Sequence, residues 1–273
     1  MLHSKKETFN GNTFQLRTWQ TENPKANILI VHGYAEHSAR YDEVAKLMNQ
    51  EGYSVYAFDR RGEGASEGKR AKVHDFSVQV EDLKAVIGKI EKGDKKFFLY
   101  GHSLGGLVVC RYIIDYDAKD VDGMILSGPL LEADEDMSPF LQKISGFVGR
   151  VLPWMPVVKL DTKLLTRDDE ERKKYEDDPL VYHGSTYAKT AMIILRSMKY
   201  SQKNFDKVKL PFLVLHGSAD KVTNPKGSRM LYDNASSEDK TIKIFDGWFH
   251  ELMREPGKEE FFEILLGWIA ERI

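Results

Sequence analysis

Ser103 stands in Gly101-His102-Ser103-Leu104-Gly105, with the apolar run Phe97–Tyr100 before it and the apolar-periodic stretch Leu104–Tyr116 after it. A serine between glycines, where a strand hands over to a helix, does chemistry when the turn is strained and holds the hydroxyl out. Its Oγ would project from the carboxyl end of a sheet, beside helix N–H groups that stabilise an anion. A serine hydroxyl is a weak nucleophile and needs a base, and the base needs a group to orient it. Of the eight histidines in the chain, His183, His216 and His250 lie after Ser103. For a nucleophile on such a turn, the acid and then the histidine follow the serine along the chain. Asp220 falls in the loop after the predicted strand Phe212–Leu215, at the sheet end where function collects in open α/β sheets. His250 is the one histidine beyond it, so Ser103, Asp220 and His250 form the candidate catalytic set. Asp206, Asp233 and Asp246 are weaker choices for the acid; only Asp246 ends a predicted core strand, and it lies four residues from His250. The candidate oxyanion donors are the N–H of Leu104 and that of Tyr34, in the loop His32-Gly33-Tyr34 after an early strand.

These residues need a scaffold, and the rest of the sequence supplies one. Glu7–Trp19 reads as a hairpin turned at Asn10-Gly11, whose residues accept positive φ. Asn27–Val31, Tyr53–Phe58, Phe97–Tyr100 and Val121–Ser127 read as strands, short and continuously apolar. Between them lie helical patterns at Arg40–Glu51, closed by Gly52, at Asp75–Glu91 and at Leu104–Tyr116. The alternation predicts a mostly parallel sheet covered by helices on both faces. It stops between Pro129 and Asp206, where no strand is legible. An apolar helical pattern (Phe140, Ile144, Phe147, Val148, Val151, Leu152), a charged stretch at 167–178 and a helical pattern at Thr186–Tyr200 fill that interval. Strand, helix, strand and helix then resume at Phe212–Leu215, Asn224–Tyr232, Thr241–Phe245 and Gly257–Ile273. The expected organisation is an α/β core over 1–128 and 208–273, interrupted by a helical cap over 129–207.

Composition excludes several functions. Lys and Arg number 40 and Asp and Glu 42, a formal net charge of −2 that lacks the basic excess of a nucleic-acid protein. The single cysteine, Cys110, allows no intrachain disulfide and reads as a small core residue. No apolar leader opens the chain and no run approaches the roughly 18 apolar residues of a membrane span, so a cytosolic protein is expected. His32, Glu36 and His37 do not have the spacing of a zinc-hydrolase motif, and no metal or organic cofactor is expected. The glycines of 62–68 are spaced wrongly for a dinucleotide loop and read as a turn whose amides Asp59 satisfies. The charged stretch 167–178 reads as a solvated helix face. The apolar helical pattern could pack on the core, touch a lipid surface, or do both.

Five stretches, HGYAEHSARY (32–41), FDRRGEGASEG (58–68), GHSLGG (101–106), HGSADKVTNPKGS (216–228) and KTIKIFDGWFHEL (240–252), resemble the monoacylglycerol lipase family of the α/β-hydrolase superfamily. They are spread across the core, whereas the cap matches only through YEDDPL (175–180). The resemblance implies an α/β-hydrolase fold and hydrolysis of a lipid ester through Ser103, Asp220 and His250. It also implies that Glu36, Arg40 and Tyr175 shape a polar pocket for the glycerol headgroup. Glu36 and Arg40 could equally pair with each other to brace the loop. Rival readings on the same scaffold are a lysophospholipase, a carboxylesterase, a thioesterase, a peptidase, or a binding protein without activity. Acyl length and oligomeric state are not legible in the sequence.

Overall fold

The computed structural model describes residues 2–133 and 151–273. Eight strands form one sheet in the order β1-β2-β4-β3-β5-β6-β9-β10. The hairpin of β1 (Leu2–Phe9) and β2 (Asn12–Trp19) turns at Asn10 and Gly11, both with positive φ, and adds to β4 antiparallel. The remaining strands, β3 (Ala26–Val31), β4 (Ser54–Phe58), β5 (Lys96–His102), β6 (Gly123–Ser127), β9 (Phe212–Gly217) and β10 (Lys240–Phe245), pair in parallel.

All six residues of β3 are buried, because both faces of the sheet are covered. Alternate side chains of a strand point to opposite faces, and the two apolar clusters follow that rule. Leu29 and Val31 pack with α2 (Phe76–Ile87) and α3 (Leu104–Tyr116). Ile28 and Ile30 pack with α1 (Asp42–Gln50) and α6 (Glu259–Ala270). Cys110 lies in the first cluster, and burial pushes its thiol up to about 12. Local chemistry sets the helix ends. Asp75 accepts from Ser77 N at the start of α2, and Gly52, at φ +88°, follows the end of α1. A single 3₁₀ turn at Ser38–Tyr41 precedes α1, so that helix begins two residues later than the sequence pattern indicates.

Between β6 and β9 the described residues hold α4 (Asp169–Glu176) and α5 (Ala188–Gln202). They also hold two strands absent from the sequence reading, β7 (Pro156–Val158) and β8 (Thr186–Tyr187), paired antiparallel. Strands of three and two residues are too short to show alternation, which is why the pattern missed them. Phe140, Ile144, Phe147 and Val148 lie outside the described residues. The charged stretch forms α4, but it is not solvated throughout, since Glu171 and Tyr175 turn inward and are buried. Asp59 does bind the turn beside it, accepting from Ala65 N and from Ser38 N.

Candidate active site

The link between β5 and α3 places the serine. Ser103 has φ 53° and ψ −120°, a conformation unfavourable for a residue with a Cβ. Hydrogen bonds on both sides hold it there: Ser103 N donates to Ser127 O at 3.0 Å and Leu130 N donates to Ser103 O at 2.9 Å. The flanking glycines are needed because α3 starts against the ends of two strands. A Cβ at Gly105 would overlap the Val31 carbonyl, and one at Gly101 would sit 2.8 Å from Gly105 O. With α3 beginning at residue 104, the Leu104 N–H opens the helix beside the serine and has no partner within it. No described residue hydrogen-bonds to Ser103 Oγ.

Parallel pairing of β9 and β10 brings the other two residues together. The loops that leave these strands are laced by Ser218 N to Phe245 O (2.8 Å) and Ala219 N to Trp248 O (3.0 Å). Across them His250 Nδ1 donates to Asp220 Oδ2 at 2.7 Å. Asp220 Oδ1 accepts from Val222 N (2.8 Å) and Thr223 N (2.9 Å), and Oδ2 also accepts from Thr223 Oγ1 (2.8 Å). His216 Nε2 stands 3.1 Å from the same Oδ2. Burial alone would raise the Asp220 carboxyl pKa; the charge of His250 and hydrogen bonds from His216 and His250 outweigh it and hold the pKa far below the usual range. Burial likewise disfavours the His250 cation, but the Asp220 carboxylate prevails and leaves the imidazole pKa above 6.5. An ionised Asp220 accepts only, so the His250 Nδ1 carries the hydrogen and Nε2 is left as a base. The His102 ring lies 4.8 Å from the His250 ring, and burial together with His250 pushes its pKa down to about 4. His102 is therefore neutral and does not compete for the proton.

Backbone bonding in the loop after β3 singles out Tyr34. Gly33 N donates to Glu36 Oε1 (2.5 Å) and Gly33 O accepts from Arg60 Nη2 (2.6 Å). Ala35 N donates to Glu63 Oε1 (3.1 Å) and Ala35 O accepts from Tyr182 N (2.8 Å). Among the described residues the Tyr34 N–H has no such partner, and Tyr34 lines the same cavity as Ser103 and His250. The Tyr34 side chain is occupied elsewhere, its hydroxyl donating to Ala71 O at 2.7 Å.

That cavity, of about 210 Å³, has two kinds of wall. Leu130, Val158, Ala191, Ile194, Leu195 and Met198 make an apolar limb, whereas Glu36, Arg40, Tyr175 and Glu251 are polar. Arg40 binds Glu36 at 2.6 Å and Glu251 at 2.8 Å through each of two nitrogens, and its guanidinium lies 4.5 Å from the centre of the Tyr175 ring. The chain of charges continues through Glu251 to Arg254 (3.2 Å) and on to Glu171 of α4 (2.5 Å). Arg40 first, then Arg254, holds the Glu251 carboxyl at about 2 against the opposing effect of burial. The pairing of Glu36 with Arg40 is thus real, and both still face the cavity. The sequence reading gave no site role to Glu251, Arg254, His216 or Thr223. For His216 a signal existed, as it closes a core strand four residues before Asp220. Among the described residues no group of His, Cys, Asp and Glu could hold a metal ion.

A mostly parallel sheet with a strained serine after β5, and an Asp–His pair in the loops after β9 and β10, defines an α/β-hydrolase. A family model described as serine aminopeptidase, S33, matches residues 22–257. The monoacylglycerol lipase of Mycolicibacterium smegmatis is 34% identical over 92% of this chain and 90% of its own length. The caffeoylshikimate esterase of Arabidopsis thaliana is 33% identical over 91% of this chain and 79% of its own. Among solved structures, the monoacylglycerol lipase of Paleococcus ferrophilus superposes with a TM-score of 0.85 at 34% identity, covering 95% of this chain and 99% of that one. The chain belongs to the monoglyceride lipase family of the α/β-hydrolases.

Proposed function

We propose that the protein is a serine ester hydrolase that releases fatty acid and glycerol from monoacylglycerols. His250 Nε2 takes the proton of Ser103 as Oγ attacks the ester carbonyl, and Asp220 stabilises the imidazolium that forms. The developing oxyanion is met by the N–H groups of Tyr34 and Leu104, each worth about 10²–10³ in turnover. The imidazolium gives its proton to the departing glycerol oxygen. Water, deprotonated in turn by His250, then cleaves the acyl-enzyme.

The observation that carries the substrate assignment is a cavity that Ser103 lines together with an apolar set of side chains and a polar, charge-bearing set. A guanidinium has five N–H donors; three of those of Arg40 go to carboxylates, leaving two for hydroxyl groups. Two carboxylates balance its charge, which favours a neutral diol over a phosphate. The peptidase named in the family description has no comparable support, because an apolar limb suits an acyl chain. The described part of the segment 129–207, which carries Leu130, Val158, Ile194 and Met198, serves as a cap that lines the acyl limb. Val151, Leu152 and Trp154 of this cap are 50%, 41% and 66% exposed, which supports contact with the lipid surface that holds the substrate. No described helix is long and apolar enough to cross a membrane.

The test is fatty-acid release from a chain-length series of monoacylglycerols. Lysophosphatidylcholine and a short p-nitrophenyl ester run in parallel, on the wild type and on Ser103→Ala. Monoacylglycerol should be preferred, and the variant should lose about 10⁶ in turnover. Cleavage of the short ester alone would leave the nucleophile standing and end the lipase assignment.

A further inference from the structure

Arg60 is the largest fully buried side chain among the described residues, 2% exposed, and lies beneath the loop that carries Tyr34. A buried guanidinium is costly unless its donors are placed, and this one places two on that loop and one on α2. Nε donates to His32 O (3.1 Å), Nη2 to Gly33 O (2.6 Å), and Nη1 to Gln79 Oε1 of α2 (2.9 Å). The Arg60 backbone N–H donates to His32 Nε2 at 2.8 Å. His32, kept neutral by burial and then by the charge of Arg60, donates from Nδ1 to the same Gly33 carbonyl at 2.8 Å. Both lone pairs of Gly33 O are therefore taken.

The peptide that carries Gly33 O also carries the Tyr34 N–H. A trans peptide is planar, and its C=O and N–H point in opposite directions. Whatever grips the Gly33 carbonyl from below aims the Tyr34 N–H away from itself, toward the cavity. Gly33 cannot hold itself in place by a side chain: a Cβ there would sit 2.7 Å from Glu36 Oε1 and 3.2 Å from the Ser103 Cβ. The grip has to come from a neighbour. We infer that Arg60 is a positioning residue for the oxyanion hole, which clamps the Gly33 carbonyl and so directs the Tyr34 N–H at the oxyanion.

The inference rests on the hydrolase reading above, and the experiment separates the two. Arg60→Lys keeps a cation with one point of contact, and Arg60→Met keeps the bulk with none. Each is compared with the wild type, folded fraction being measured by circular dichroism. Four quantities are read: kcat and KM on a monoacylglycerol, inhibition by an alkyl trifluoromethyl ketone, and inhibition by the matching 1-O-alkylglycerol ether. The ketone adds to Ser103 and places an oxyanion in the hole, whereas the ether binds without one.

Loss of a well-aimed donor predicts kcat lower by about 10²-fold in the Met variant, less in the Lys variant. The ketone should weaken by the same factor, with KM and ether inhibition within about threefold of wild type. A general structural role would instead lower all of them together or reduce only the folded fraction, and either result overturns the proposal. If neither Arg60 variant folds, Gln79→Met decides, since it frees the guanidinium from α2. In that case kcat and ketone affinity must fall together by several-fold, and no change refutes the clamp. Ser103→Ala is the control: full activity there sinks the hydrolase reading itself, whereas a dead Ser103→Ala beside unaffected Arg60 variants sinks only the clamp.

Discussion

Replacing Asp220 by Asn tests the hydrogen-bond geometry behind His250 more sharply than deleting the nucleophile. The two oxygens of Asp220 do different work. Oδ1 accepts two backbone N–H groups, from Val222 and Thr223, at 2.8 and 2.9 Å. In an asparagine the amide oxygen must take that place, because an NH₂ there would oppose two donors. The NH₂ then falls where Oδ2 was, 2.7 Å from His250 Nδ1. It donates to Nδ1, and the ring hydrogen moves to Nε2. The nitrogen that should receive the Ser103 proton is already protonated. The same exchange in a serine protease costs about 10⁴ in kcat, and the geometry here predicts a loss of that size, about 5 kcal/mol. The fold should survive, because the Thr223 hydroxyl can turn to accept from the new amide. The assay is kcat on a short p-nitrophenyl ester under saturating substrate, with thermal melting to confirm folding. A folded Asp220→Asn that keeps a tenth or more of wild-type turnover would refute both the tautomer argument and the assignment of Asp220.

Other tests follow from the same geometry. The proposed mechanism requires neutral His250, whose pKa is raised above 6.5, so kcat/KM should fall with decreasing pH through a midpoint above 6.5. Glu251 is one of the carboxylates that raise it, and Glu251→Gln should move this midpoint down; a shift upward in the pH–rate profile would contradict the field described. Burial pushes the Glu63 carboxyl up to about 7 from 4.5, so the folded chain binds more protons than the unfolded one between those values, and stability falls as pH rises through that window. Glu63→Gln should therefore gain on the wild type between pH 5 and pH 8, by up to about 3 kcal/mol in denaturant titrations; a pH-independent difference would speak against it. Gly105→Ala should destabilise by the upper end of the about 1–3 kcal/mol typical of overpacking, read from its melting temperature. Leu195→Trp, on the apolar limb, should shift kcat/KM toward shorter acyl chains by about tenfold or more across the chain-length series.

Much of the fold and of the candidate site is legible in the sequence. The buried strands announce themselves as unbroken apolar runs because helices cover both faces, and β3 is buried at every position. Ser103 is readable because a strained strand-to-helix turn needs small neighbours, and glycines at 101 and 105 are the mark it leaves. Asp220 and His250 are readable from chain order. Contacts that join distant segments without a local pattern were not. Glu171 sits in a run of charges that resembles any solvated face, and only the folded chain shows it turned toward Arg254. Nothing near Arg60 in the sequence points to the carbonyl of Gly33. His216 looks like the end of a strand, and its approach to Asp220 depends on the turn that follows.

The inserted segment is joined to the reacting centre by main-chain bonds. Tyr182 N reaches Ala35 O (2.8 Å) beside Tyr34, the proposed oxyanion donor, and Glu251 N, next to His250, reaches Leu165 O (2.7 Å). This limits how the scaffold can be re-engineered or diversified. A cap exchanged between relatives to alter acyl preference would also exchange the struts of two catalytic loops. Chimeras should then show chain-length preference and turnover changing together, and recover rate only when the residues meeting 35 and 251 are grafted with the matching core. Under the proposed division into cap and core, the part that would set selectivity and the part that would do the chemistry share these two main-chain bonds.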